Sequence, residues 1–128
     1  MESTTSLRRV LVVDDQVDTA KSFCELLTLM GHECQFITDA RQTIDIARTF
    51  RPHIALVDIG LLPGLDGHQI AQMLRQEFGD AITLIAVTAY GRDEDRVRTR
   101  KAGFDAHVTK PVDSGLLESI VQHVHQRP

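Results

Sequence analysis

Nowhere in the 128 residues does an apolar stretch approach the roughly 20 residues that a membrane-spanning helix needs. The opening Met1-Glu2-Ser3-Thr4-Thr5-Ser6 lacks the apolar core of a secretory signal, so residues 1–7 read as a flexible lead-in. A basic excess is also missing: 14 Lys and Arg stand against 18 Asp and Glu, for a net charge of −4. That balance disfavours a nucleic-acid binder, which would show a basic face. Cysteine is scarce. Cys24 and Cys34 are too few for a disulfide framework and are expected as free thiols in a reducing cytoplasm. The six histidines are scattered, and His123 and His125 fall on different helix faces, which disfavours a histidine metal site. Gly60, Gly64 and Gly67 have the wrong spacing for a dinucleotide fingerprint. No linker, repeat or low-complexity segment points to a second domain. With 42% apolar and 25% charged residues, composition fits an ordinary globular chain and selects no function.

What the chain does have is a set of apolar runs that stop at polar residues. Val10-Leu11-Val12-Val13 runs into Asp14 and Asp15, and Ile54-Ala55-Leu56-Val57 into Asp58. Ile82-Thr83-Leu84-Ile85-Ala86-Val87 ends in Thr88, and Ala106-His107-Val108-Thr109 in Lys110. Such aliphatic runs suit strands covered on both faces.

Between them lie segments of helical period. Ala20, Phe23, Leu27 and Met30 mark a helix over about 17–30 with Gly31 behind it. Cys34–Ile37 is a short strand. Asp39 with Gln42 makes a capping-box signature before Ala40, Ile44, Ala47 and Phe50, and Arg51-Pro52 stops that helix. Asp66 with Gln69 repeats the signature before Ile70, Leu74 and Phe78. A fourth helix spans about Asp93 to Ala102, its charged sequence offering little but Val97 to a core. Asp113 caps a last helix with the stripe Leu117, Ile120, Val121 and Val124.

Five β–α units with short junctions predict an α/β fold: a doubly wound, five-stranded parallel sheet in the order 2-1-3-4-5, flavodoxin-like, with helices on both faces. In that order Asp14, Asp15, Asp58, Thr88 and Lys110 meet at the C-terminal edge of the sheet, beside the switch point between strands 1 and 3. Carboxylates gathered there repel. At an effective dielectric of about 20, a pair ~4 Å apart costs on the order of 4 kcal/mol, so protons or a cation are required. Hard oxygen donors suit magnesium, and no His or Cys at the strand ends favours zinc. Carboxylate, divalent ion, ammonium and hydroxyl together make a phosphoryl pocket in which a carboxylate can be the nucleophile.

These motifs carry a resemblance. Asp14-Asp15, Val57-Asp58-Ile59-Gly60 with Pro63-Gly64-Leu65-Asp66-Gly67, Thr88-Ala89 and Thr109-Lys110-Pro111 stand in order at family-like spacing. Over residues 8–126 the chain resembles the receiver domain of two-component response regulators, including receivers on hybrid sensor kinases. The resemblance implies that Asp58 accepts a phosphoryl group from a phosphohistidine on a histidine kinase or histidine phosphotransfer protein. It implies Mg2+ held by Asp15, Asp14, Asp58 and the Gly60 carbonyl. Thr88 and Lys110 would then contact the phosphoryl oxygens, and the Lys110–Pro111 bond would be cis. It further implies a switch at the face formed by the fourth helix, fifth strand and fifth helix, where a downstream protein could dock. The chain would be a signalling domain acting only on its own phosphoryl group, not an enzyme.

Two features depart from the family pattern. Pro63 lies five residues after Asp58 instead of four, so the loop carries one extra residue, Leu61 or Leu62. A bulge that leaves the site intact is expected, and impaired metal binding is the alternative. His107 stands where many receivers have Tyr or Phe, and is read as a partly exposed strand residue in preference to a pH sensor. Tyr90 beside the phosphoryl group predicts slow self-dephosphorylation. Competing functions are an aspartyl-phosphate phosphatase, disfavoured by Gly60 where an acid is needed, a phosphate shuttle, and an interaction module that is never phosphorylated. With nothing after Pro128, action by contact is expected.

Overall fold

Strand β1 (Arg9–Val13) is an inner strand of the sheet, hydrogen-bonded on one side to β2 (Glu33–Ile37) and on the other to β3 (Ile54–Asp58). The computed structural model describes residues 8–59, 67–88, 93–110, 115 and 117–119. Beyond β3 come β4 (Thr83–Thr88) and β5 (Ala106–Thr109), giving one parallel sheet in the order β2-β1-β3-β4-β5. Four helices alternate with the strands: α1 (Val17–Leu29), α2 (Thr43–Phe50), α3 (Gly67–Phe78) and α4 (Asp93–Ala102). Residues 115 and 117–119 are helical as well. Class, strand count and order are those predicted.

The aliphatic runs form strands because neighbouring residues bury on opposite faces. Val10, Val12, Ile54, Leu56, Ile85, Val87 and Val108 pack with Ala20 and Leu27 of α1 and with Leu117. Leu11, Val13, Ala55, Val57, Leu84 and Ala86 pack the other way, against α2 and α3 residues such as Ala47, Ile70 and Leu74. Every residue of β3 is buried, which leaves Asp58 at the rim of a fully covered strand.

Three local expectations need correction. The Asp39 carboxylate caps a short 3-10 turn over Ala40–Gln42, accepting from the Arg41 N–H at 3.0 Å, and α2 proper starts only at Thr43. Arg41 also grips that carboxylate with its guanidinium, so the reciprocal Gln42 bond of a capping box is not the device used. Val97 is not the core residue of α4: it is 49% exposed, while Thr99 and Ala102 are buried. Finally, Cys24 and Cys34 are not free thiols. They are joined as a disulfide between α1 and β2, because α1 packs directly over that edge of the sheet and brings their Cα atoms to 5.3 Å. Sequence spacing alone could not show that approach.

Two histidines support the N-terminal end of β1. His32 Nδ1 accepts the Arg8 N–H at 3.1 Å, and His53 Nδ1 accepts the Arg9 N–H at 2.9 Å. Both bonds require a neutral ring. Burial, then the charge of Arg8, lowers the pKa of His32; burial, then Arg9 and Arg8, lowers that of His53. The folded chain therefore resists protons that the unfolded chain accepts. Stability is full above the ordinary histidine value of 6.5 and declines as pH falls through the window below it. The slope is at most ~1.4 kcal/mol per pH unit for each ring. Urea midpoints measured at pH 7.5 and 5.5 should differ for the wild type, and the His32→Gln/His53→Gln variant should narrow that difference. Equal differences in both proteins would remove these rings as the cause.

Candidate functional site

At the C-terminal edge of the sheet the strand ends are locked to one another by backbone bonds. Asp14 N–H donates to Ile37 O at 3.1 Å, Ile59 N–H to Val87 O at 3.0 Å, and Lys110 N–H to Thr88 O at 2.7 Å. Register places Asp58 beside Val87 and Thr88 beside Thr109. The polar residues that follow the apolar runs are thereby held by main chain, before any side-chain contact is counted.

The Lys110 ammonium reaches back across β4 to the carboxylates. Its Nζ donates to Asp58 Oδ2 at 2.5 Å and lies 3.5 Å from Asp14 Oδ2. Asp14 and Asp58 are buried and Lys110 is partly so, which makes this a charge cluster in a poorly solvated crevice. Burial raises the pKa of Asp14, opposed by the Gln16 N–H donated to its Oδ1 at 2.9 Å and assisted by the charge of Asp58. Burial works against the Lys110 ammonium, yet its bonds and attraction to Asp58 and Asp14 outweigh it, and its pKa is raised. Lys110 is thus shared between two acids, Asp58 and Asp14.

The five residues singled out from the sequence are not equivalent. Asp14, Asp58 and Lys110 meet directly; Thr88 is buried next to them at the end of β4; Asp15 is exposed at the rim. His107 is half-buried on β5, as expected. Gly60, Pro63, Asp66, Tyr90, Pro111 and the loop with the extra residue lie outside the described residues. So do Ile120, Val121 and Val124, whereas Leu117 is buried as expected.

One residue of the motif has a structural role that the sequence did not assign. Gly67 opens α3 directly against the residue pair at the end of β3: a Cβ there would lie 2.6 Å from Ile59 Cα and 2.9 Å from Asp58 O. In the sequence Gly67 appears as the last residue of the motif Pro63-Gly64-Leu65-Asp66-Gly67, which does not reveal what it touches.

The response regulator receiver domain model matches residues 10–122. The chain belongs to that family. This receiver domain is 31% identical to the polar-differentiation response regulator DivK of Brucella anthropi, over 82% of this chain and 85% of that one. It is 29% identical to the probable transcriptional regulator ycf27 of Cyanophora paradoxa over 94% of its own length but only 49% of the other's. The receiver thus spans about half of several curated relatives that it matches. A crystal structure of a CheY-like response regulator receiver domain protein from Methanospirillum hungatei superposes with a TM-score of 0.80 at 31% identity, covering 90% of this chain and 91% of that one. The family is one of two-component signalling domains, not of catalytic enzymes, and its members generally bind Mg2+ in the acidic pocket and work with histidine kinases or phosphotransfer proteins. Among the described residues no helix is long and apolar enough to cross a membrane.

Proposed function

We propose that Asp58 is the phosphoacceptor of this receiver, with Asp14, Asp15 and the Gly60 carbonyl holding Mg2+ together with Asp58. The observation that carries the reading is the Lys110 ammonium bonded to Asp58 and close to the buried Asp14 at the ends of three different strands. A carboxylate oxygen of Asp58 attacks the phosphorus of a phosphohistidine; the P–O bond forms as the P–N bond breaks, and the imidazole leaves with the electron pair. Lys110 and the Thr88 hydroxyl are the groups we assign to pair with the phosphoryl oxygens. When bound, the metal neutralises charge that develops on those oxygens.

The residues present suit that ion. Asp14 and Asp58 supply hard oxygen donors, both buried at the ends of neighbouring strands. Among the described residues no three His, Cys, Asp or Glu side chains converge into a ready-made cage. Magnesium needs none, since it keeps several waters and takes few protein ligands.

The phosphoryl group brings roughly two negative charges to a crevice that is already acidic. The Lys110 bond to Asp58 must rearrange, and Lys110 directly follows β5. In the neighbouring α4, Thr99 and Ala102 are the buried residues among the described side chains. Phosphorylation therefore shifts the face made by α4, β5 and the last helix, the docking site we assign to a downstream protein. The domain is taken to run over residues 8–126, with self-dephosphorylation as its only turnover, in a cytoplasmic setting.

Incubation with Mg2+ and acetyl phosphate, followed by intact mass and peptide mapping, should place one phosphoryl group on Asp58. Asp58→Asn should take up none. A wild-type chain that stays unmodified, with Mg2+ present, would leave the unphosphorylated interaction module as the better reading.

A further inference from the structure

Away from the acidic crevice, Cys24 and Cys34 stand as an assembled pair. Cys24 is buried in the middle of α1 and Cys34 is half-exposed on β2, the strand at the open edge of the sheet. Their Cα atoms are 5.3 Å apart, inside the ~4.4–6.8 Å span that a disulfide bridges without backbone movement. The approach does not depend on the bond. Ala20 and Leu27, on either side of Cys24, are fully buried in the cluster that contains Val10 and Val12, and Cys34 pairs in register with Val10. Apolar packing therefore holds the two sulfurs together whether they are reduced or oxidised. Edge strand β2 also leaves Cys34 open to a small reagent.

We propose that Cys24 and Cys34 form a reversible dithiol–disulfide site that exchanges with low-molecular-weight disulfides and ties α1 to the edge strand when oxidised. In the first step the Cys34 thiolate attacks a glutathione disulfide, forming a mixed disulfide and releasing one glutathione thiolate. In the second the Cys24 thiolate attacks the Cys34 sulfur, closing the internal bond and releasing the other. One external disulfide is reduced to two thiols as the protein dithiol is oxidised. Cys34 is the entry point because it is the accessible partner, and Cys24 is the resolving one.

The site acts on stability and leaves the acidic crevice alone. Val10, in register with Cys34, lies four residues before Asp14, or ~13 Å along the strand. The closed loop is short, with a sequence separation of 10, and contains the second half of α1 and the turn at Gly31. Closing a loop of that size restricts the unfolded chain enough to raise the thermal midpoint by about 5–15 °C. Oxidation thus adds a covalent tie between α1 and the edge strand, and reduction leaves the apolar packing alone to hold them.

The test uses the full chain, equilibrated over a series of reduced-to-oxidised glutathione ratios, quenched with an alkylating agent and read by intact mass. The doubly alkylated protein should convert to an unalkylated one across that series and convert back when the ratio is reversed. The thermal midpoint should follow the conversion. Cys34→Ser should abolish both changes, and Cys24→Ala should instead accumulate a glutathione adduct at Cys34. Thiols that remain alkylatable in excess oxidised glutathione would overturn the proposal. So would a wild-type end product that is the mixed disulfide, a bond that excess glutathione does not reopen, or a Cys34→Ser thermal midpoint that still tracks the ratio.

Discussion

Replacing Gly67 by alanine is expected to cost about 2–3 kcal/mol of stability and to slow phosphoryl uptake at Asp58. Helix propensity alone argues the opposite, since alanine in a helix is better than glycine by about 1 kcal/mol. The contact decides the sign. An added methyl would stand 2.6 Å from Ile59 Cα, 2.9 Å from Asp58 O and 2.9 Å from Ile59 Cγ2. Two of those three atoms are backbone, and they cannot move aside as the far end of a long side chain could. The Ile59 N–H is bonded to Val87 O at 3.0 Å and Asp58 is paired with Val87, so the end of β3 is fixed between its neighbours. Either α3 backs away, opening a gap along Ile70 and Leu74, or the Asp58 backbone shifts and carries its carboxylate off the Lys110 ammonium. Urea unfolding together with the rate of acetyl phosphate labelling checks both outcomes. Gly79→Ala is the control. Its φ of 58° is unfavourable for alanine, but no atom lies within 4 Å of the new methyl, so it should cost about 1 kcal/mol and leave labelling unchanged. Equal losses for the two variants would mean that the close approach at Gly67 is not what constrains the site.

The contrast between these glycines shows where the sequence is legible and where it is not. Strand order follows from alternation and handedness rules, and the aliphatic runs leave little choice of element, so Asp14, Asp58, Thr88 and Lys110 could be placed at one edge from the sequence alone. Burial of a particular helix position is harder. Val97 looks like the sole apolar anchor of α4, yet Thr99 and Ala102 face inward, because the orientation of a weakly amphipathic helix is set by its neighbours and not by its own pattern. Proximity between side chains on separate elements is harder still. The Cys24–Cys34 bond and the Gly67 contact both depend on how closely two elements approach, to within an ångström or so. Composition and periodicity carry no such distance. Nor did the sequence separate Asp14 from its neighbour: adjacent residues of one type end up buried and exposed because the chain turns at Gln16, whose N–H is bonded to the Asp14 carboxylate.

Arg75→Met should lower stability by about 2–4 kcal/mol, with the loss concentrated where α4 meets β5. All five N–H groups of a guanidinium can donate, and Arg75 uses its fork at four acceptors on two segments. Nη1 donates to Gly79 O at 2.6 Å and Ile82 O at 2.8 Å, at the link from α3 to β4. Nε and Nη2 donate to Gly103 O at 3.2 and 2.7 Å, and Nη2 also to Asp105 Oδ2 at 2.7 Å, both in the turn between α4 and β5. The same Asp105 oxygen accepts the Leu84 N–H at 2.9 Å, so the carboxylate joins that turn to β4 as well. Methionine keeps the aliphatic bulk and removes every donor. The side chains of Arg75 and Asp105 are 22% and 23% exposed, so water can reach part of the cluster, which is why the estimate stays below that for a fully buried pair. Lysine should not rescue. It offers one nitrogen where the acceptors are spread around a planar fork. Because α4 is anchored at its C-terminal end by this cluster and by Thr99 and Ala102, its loss should speed amide exchange at Gly103, Phe104 and Asp105 well before it affects β1 or β3. Exchange that rises evenly across the sheet would show the guanidinium to be general support. Exchange confined to the α4–β5 turn would show that the guanidinium specifically holds the C-terminal end of α4 against β5.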